Sequence, residues 1–194
     1  MWTDHLAGRG SKPKEVDVQA FVGKKPFTGL VMGIDPSLRG SGLAVLEFSS
    51  DKPTLKASRT IKLKPKLPFD VCLGEIHQAV ASYLDEWNPL HVSVEQTIYV
   101  QNFQTAQILG AARGAAISAV AVRGIPVFEY HPLRIKQAVV GFGRASKEQL
   151  AGTMTQLLAT GEELSFDEAD AAGAAFCHAM TWNGEGVIRP SISD

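Results

Sequence analysis

GLVMGIDPSLRGSG, residues 29–42, carries an apolar run into a single acidic residue, Asp35, and then into a turn rich in glycine and serine. Leu30 to Ile34 reads as a buried strand. An ionised carboxylate left in an apolar interior costs several kcal/mol, so Asp35 must be paired, solvated at the strand end or bound to a cation. The segments on either side decide the kind of sheet this strand joins, and the remaining acids decide among those three answers.

Downstream, SGLAVLEF (41–48) and TLKASRTIKL (54–63) read as further strands, with RGSG and SSDKP as the turns. Three strands joined by short loops predict an antiparallel meander. In PFDVCLGEIHQAVASYLDEW (68–87), Val71, Ile76, Val80, Tyr83, Leu84 and Trp87 fall near one helical face, and Asn88-Pro89 ends the helix. HVSVEQ (91–96) alternates, with Val92 and Val94 on one side and His91, Ser93 and Glu95 on the other. NFQTAQILGAARGAAISAVAVRG (102–124) predicts a long Ala-rich helix closed by Gly124. IPVFEY (125–130) is a fifth strand. PLRIKQAVVG and SKEQLAGTMTQLLA are helices around an FGRA loop, and SFDEADAAGAAFCHAMTW (165–182) is a last helix opened by a Ser or Asp cap. The order predicts an α/β fold: a mixed five-stranded sheet flanked by helices on both faces.

Length and composition fit one core, with 45% hydrophobic residues in 194. Residues 1–28 read as a mobile, mildly basic extension, 29–181 as the domain and 182–194 as a short tail. The apolar stretch from Ile108 to Val122 is broken by Arg113, Ser118 and glycines, which speaks against a membrane span. The N-terminus lacks a signal-peptide core. Cys72 and Cys177 sit in apolar, helix-like contexts and read as reduced core residues, so a cytoplasmic protein is expected.

The acids point to metal chemistry. Asp35 ends the first strand, Glu95 ends the fourth, and Asp167 and Asp170 share a helical face as an i, i+3 pair. If the first and fourth strands are neighbours, the four carboxylates converge and raise one another's pKa values, a penalty that divalent cations remove. Hard oxygen ligands favour Mg²⁺ or Mn²⁺ over zinc, and no Cys/His spacing competes. Two such ions about 4 Å apart suit in-line phosphodiester hydrolysis. The net charge of −1 does not exclude a nucleic-acid substrate, because two bound divalent cations would bring it to about +3. Taken singly, a strand-end aspartate is an ordinary turn residue, and DEAD at a helix start is ordinary dipole compensation. Glu162, Glu163 and Glu168 are expected to be solvated.

GIDPSLRGSG, VEQTIYVQNFQTAQILGAARGAA, VFEYHPLRIKQAVVGFGRASKEQL and DEADAAGAA together resemble the RuvC family of Holliday junction resolvases, within the ribonuclease H-like fold. The resemblance runs from about Gly29 to Ala179. It implies a homodimer that binds a four-way DNA junction and nicks it symmetrically with Mg²⁺, two ions per site and Mn²⁺ as a substitute, with a branch-migration motor as a possible partner. It places the catalytic tetrad on Asp35, Glu95, Asp167 and Asp170. Basic DNA contacts fall on Lys136 and Lys147, with Arg134 and Arg144 as companions. Ser37 replaces the glycine of the family's Asp-Pro-Gly, and Ser41-Gly42 stands near its Thr-Gly, so a different turn is expected after Asp35. Thr97, Ile98 and Tyr99 occupy the stretch where the family places a bulky residue that intrudes on the junction, so Ile98 or Tyr99 is the candidate wedge. Gly110, Gly114 and Ser118, and likewise Ala111, Ala115 and Ala119, form small-sided rows on the long helix; one such face is expected to pack on the chain's own sheet, and the resemblance implies that the helix lines the dimer interface, two small faces leaving room for both. Competing readings are a ribonuclease H-like nuclease for flaps or RNA–DNA hybrids, and an actin-like ATPase. The ATPase is disfavoured because no internal repeat supplies a second lobe.

Overall fold

The computed structural model describes residues 27–49, 52–98 and 101–184. Its strands are β1 (Gly29–Asp35), β2 (Gly40–Phe48), β3 (Pro53–Lys62), β4 (His91–Glu95) and β5 (Val127–Tyr130). The helices are α1 (Phe69–Trp87), α2 (Phe103–Ala121), α3 (Pro132–Val140), α4 (Lys147–Leu158) and α5 (Phe166–Thr181). One sheet runs in the order β3-β2-β1-β4-β5. The β1–β2 and β2–β3 pairs are antiparallel, while β1–β4 and β4–β5 are parallel. The mixed five-stranded sheet predicted from the sequence is therefore present.

Strand alternation divides the interior in two. Met32, Ile34, Leu43, Val45, Val92 and Val94 face α1 and α2, where they pack with Ile76, Val80, Leu84, Ala112, Ala116 and Val120. Val31, Ala44, Leu46 and Phe48 face the other way, onto α3, α4 and α5, with Ile135, Leu150, Met154 and the alanines of α5. Each face buries its own apolar set, so a slip of one residue in register would exchange the two cores.

Several helix ends follow the caps written in the sequence, but α2 ends at Ala121 with Val122 as its C-cap, and Gly124, expected to close it, lies in the turn beyond. Asn88 takes a left-handed conformation at φ 44° and donates its N–H to Leu84 O at 2.9 Å, closing α1. Ser146 and Gln149 form a capping box on α4, and Ser165 and Glu168 form one on α5. Glu168 is therefore not the solvated acid expected: it accepts from Ser165 N at 3.1 Å and from Ser58 Oγ at 3.2 Å, tying α5 to β3. Glu162 and Glu163 are exposed, as expected.

Three other expectations change. Val71 is exposed, and Cys72 takes its place on the buried face of α1. On α2, the row against the core is Ala112, Ala116, Ala119 and Val120; Ala111 and Ala115 are only half-buried, and Gly110 and Gly114 are exposed. Phe27, assigned to the extension, is 5% exposed and packs against Phe48, His91, His178 and Trp182. The remainder of the predicted extension lies outside the described residues. Both cysteines are free and buried. Among the described residues, no helix is long and apolar enough to cross a membrane.

Candidate active site

Asp35 and Glu95 are brought together by parity and register. In the parallel β1–β4 pair Ile34 stands opposite Val94, both on the α1 face. One residue further along, Asp35 and Glu95 therefore end adjacent strands on the opposite face, under α5. Ser93, two residues before Glu95, shows the direction: it is fully buried and its Oγ donates to Ala174 O of α5 at 2.7 Å. Such a bond contributes about 1 kcal/mol net, and an unpaired buried hydroxyl would cost more.

Helix α5 lies almost on the sheet because glycines leave it room. A Cβ on Gly33 would come within 1.8 Å of Ala171 O, and one on Gly42 within 1.8 Å of Asp167 O. This close approach carries Asp167 over the start of β2, where its Oδ2 lies 3.2 Å from where a Gly40 Cβ would be. One turn on, Asp170 is 7% exposed, within electrostatic reach of Asp35 and Glu95.

The turn after Asp35 is built by serine side chains. Gly40 N donates to Ser37 Oγ at 3.0 Å, Ser37 N donates to Ser41 Oγ at 3.0 Å, and Ser41 Oγ donates back to Ser37 O. Ser41 is 1% exposed. Ser37 does not take a positive φ, so side-chain hydrogen bonds replace the freedom of a glycine.

Burial and mutual repulsion dominate the electrostatics. Burial first, and then the charge of Asp170, push Asp35 up to about 7, with Lys147 acting against them. Glu95 rises to about 8 through burial, then Asp35 and Asp170, against Lys147 and Lys136. Asp170 is also raised by burial, although Lys147 pulls it down. Lys147 Nζ lies 3.4 Å from Asp170 Oδ2. Burial lowers the lysine's own pKa, but attraction to Asp170, Asp35 and Asp167 raises it on balance.

An all-carboxylate donor set suits a hard divalent cation, and such a charge would reverse the upward shifts. Among the described residues, no three His, Cys, Asp or Glu side chains close into a ligand cage around one point. The four acids share an electrostatic neighbourhood, with one of them engaged by a lysine.

The basic candidates separate by direction. Lys136 acts on Glu95 and Asp170, as Lys147 does. Arg134 sits two positions away on α3, with its guanidinium 5.8 Å from the centre of the Tyr130 ring, so it accompanies Tyr130 rather than the acids. Arg144 is exposed in the α3–α4 loop. Ile98 is 53% exposed after β4, and Tyr99 lies outside the described residues.

The sequence reading missed a buried polar cluster between the start of β4 and the C-terminal half of α5. His178 of α5 is fully buried, with Nε2 2.9 Å from His91 Nδ1 and Nδ1 2.9 Å from Tyr130 OH. Phe27, Phe128 and Trp182 surround it. Burial and His91 push His178 down to about 4, and burial also lowers His91. The alternation in HVSVEQ already placed His91 on the face of Glu95; its partner on α5, 87 residues away, was not legible.

A family model described as "Crossover junction endodeoxyribonuclease RuvC" matches residues 31–178. A crossover junction endodeoxyribonuclease RuvC of Burkholderia pseudomallei is 40% identical over 166 residues, 84% of this chain and 92% of the relative. Among solved structures, Thermus thermophilus RuvC in complex with a Holliday junction substrate superposes with a TM-score of 0.73 at 32% identity, over 78% of this chain and 93% of that one. The yeast mitochondrial Holliday junction resolvase Ydc2 shares the fold at a TM-score of 0.58 and 11% identity, over 77% of this chain and 78% of its own.

Proposed function

Because the chain belongs to the RuvC family of crossover junction endodeoxyribonucleases, we propose that it resolves four-way DNA junctions by metal-dependent hydrolysis of phosphodiesters. The sheet is a ribonuclease H-like fold, and it does here what that fold permits: parallel strand ends and a crossing helix gather acids from distant parts of the chain. The observation that carries the reading is the pairing of Asp35 and Glu95 at neighbouring strand ends beneath Asp170.

Asp35, Glu95, Asp167 and Asp170 would hold two Mg²⁺ ions, with Mn²⁺ able to substitute. Bound there, the ions would supply Lewis-acid activation of water and neutralisation of the developing charge. The protein's own part is to hold four carboxylates where their mutual repulsion favours cation capture. Lys136 and Lys147, beside the acids, position the scissile strand through its phosphates. Arg144 is a peripheral contact, and Ile98 is the described candidate for a wedge against the bases.

Paired symmetric nicks require two sites, hence a homodimer. Exposed small residues on α2 support it: a Cβ on Gly110 or Gly114 would meet nothing within 4 Å among the described residues, leaving room for a partner helix. Ser118, the third member of that row, lies 3.0 Å from His77 Nδ1 of α1 and belongs to the protomer's own packing. Two free, buried cysteines favour a reducing, cytoplasmic setting. A branch-migration motor would supply mobile junctions to such an enzyme.

The test is cleavage of a labelled synthetic four-way junction with Mg²⁺, against linear duplex, flap and RNA–DNA hybrid controls. Paired nicks in the junction alone are expected; cutting of flap or hybrid in preference would overturn the substrate assignment.

A further inference from the structure

Asp170 differs from the other three acids of the site. It is only 7% exposed, and it alone among them has an ion-pair partner among the described residues. That partner is not a buried residue. Lys147 opens α4 and keeps 59% of its side-chain surface in solvent while its ammonium reaches in to 3.4 Å from Asp170 Oδ2.

A lysine is a compact charge on a flexible four-carbon stem with three donors, so it exchanges anionic partners without moving the backbone. The same ammonium also attracts Asp35, Asp167 and Glu95, so its charge acts on all four acids. Two cations at one carboxylate oxygen repel each other, so the lysine and a divalent ion compete for Asp170. A DNA phosphate outside the site offers the lysine another anion.

We infer that Lys147 is an internal counter-ion that occupies Asp170 in the DNA-free protein, and that transfer of its ammonium to a junction phosphate frees Asp170 for metal, so that junction binding and metal loading drive each other. The inference rests on the assignment of the four acids as the metal site. By thermodynamic reciprocity, the factor by which junction tightens metal is the factor by which metal tightens junction.

The test is titration with Mn²⁺, reading free ion by electron paramagnetic resonance, with and without a four-way junction whose linkages cannot be cleaved. It compares the native protein, Lys147→Gln and Lys136→Gln, with Asp35→Asn on the same junction as the measure of Mn²⁺ held by DNA. The native protein is expected to bind Mn²⁺ about tenfold more tightly when the junction is present, within the usual range of coupling. Lys147→Gln should bind Mn²⁺ tightly without DNA and gain little when it is added. Lys136→Gln removes a nearby charge without removing an ion pair to Asp170, and should keep the DNA-induced gain. Equal behaviour of the two lysine variants, or a full DNA-induced gain in Lys147→Gln, would overturn the inference. Mn²⁺ binding that survives Asp35→Asn unchanged would overturn the metal site itself, and the coupling with it.

Discussion

Gly42 lies directly beneath Asp167: a Cβ on the glycine would stand 1.8 Å from the aspartate's carbonyl oxygen and 2.5 Å from its carbonyl carbon. Strand β2 and the first turn of α5 are thus in backbone contact, and the height of the helix above the sheet is set by a missing side chain. The colliding atoms are backbone, so no rotamer change relieves the clash. Gly42→Ala is expected to cost roughly 3 kcal/mol, at the upper end of overpacking, and to lower cleavage more than stability alone explains, because it lifts Asp167 from the site. Urea denaturation and junction cleavage under fully folded conditions check both; an unchanged midpoint would contradict the close approach.

Asp35→Asn is expected to reduce cleavage by three orders of magnitude or more, on the order of 4 kcal/mol in barrier, while junction affinity stays within a few-fold. The same variant is expected to melt higher than the native metal-free protein. With a folded pKa of about 7 against 3.8 unfolded, Asp35 contributes most favourably below its unfolded value, and that contribution is lost as pH rises through 7. The advantage of asparagine should therefore grow from about pH 4 to pH 7; a constant difference across that window would show that Asp35 is not buried as described.

Lys136 and Arg134, two positions apart on α3, are expected to differ. Lys136→Ala should lower junction affinity and reduce the slope of log affinity against log salt by about one. Arg134, held over the Tyr130 ring, should leave the slope nearly unchanged when replaced by alanine. Fluorescence anisotropy with a labelled junction at several salt concentrations separates the two, and equal slopes would remove Lys136 from the phosphate contacts.

His178 should make the fold acid-sensitive. Its folded pKa of about 4 lies below the usual 6.5, so the unfolded chain takes up a proton before the folded one does. Stability from this residue is present above pH 6.5 and is lost as pH falls toward 4, by at most roughly 3 kcal/mol. Asp35 and Glu95 titrate in the opposite sense over part of this range, so the quantity to measure is the difference between the native protein and His178→Gln. That difference should favour the native protein near pH 7 and shrink on acidification.

Gly114→Leu is expected to shift the protein toward monomer in sedimentation equilibrium without lowering the melting temperature of the monomer, since a Cβ at this exposed position meets nothing within 4 Å among the described residues. A dimer that persists unaltered would move the two-fold interface away from this face of α2.

The sequence by itself determined the order and type of the elements, the caps that end α1 and open α5, and the residue types of the site. These are local matters: alternation at period 2 marks strands, side-chain caps satisfy orphaned N–H groups, and an acid after an apolar run is conspicuous. Even the side of β4 that carries Glu95 follows from HVSVEQ. What only the tertiary structure decided is which distant residues meet. The pairing of β1 with β4, the descent of α5 onto Gly33 and Gly42, the reach of Lys147 to Asp170 and of His178 to His91 depend on contacts between residues far apart in the chain. Glu168 looked like a surface acid and became a cap tied to β3, and Phe27 looked like part of a tether and became core. Local pattern specifies which face a residue occupies on its own element; packing between elements specifies what lies across from it, and both the charges and the chemistry of this site are set by that second relationship.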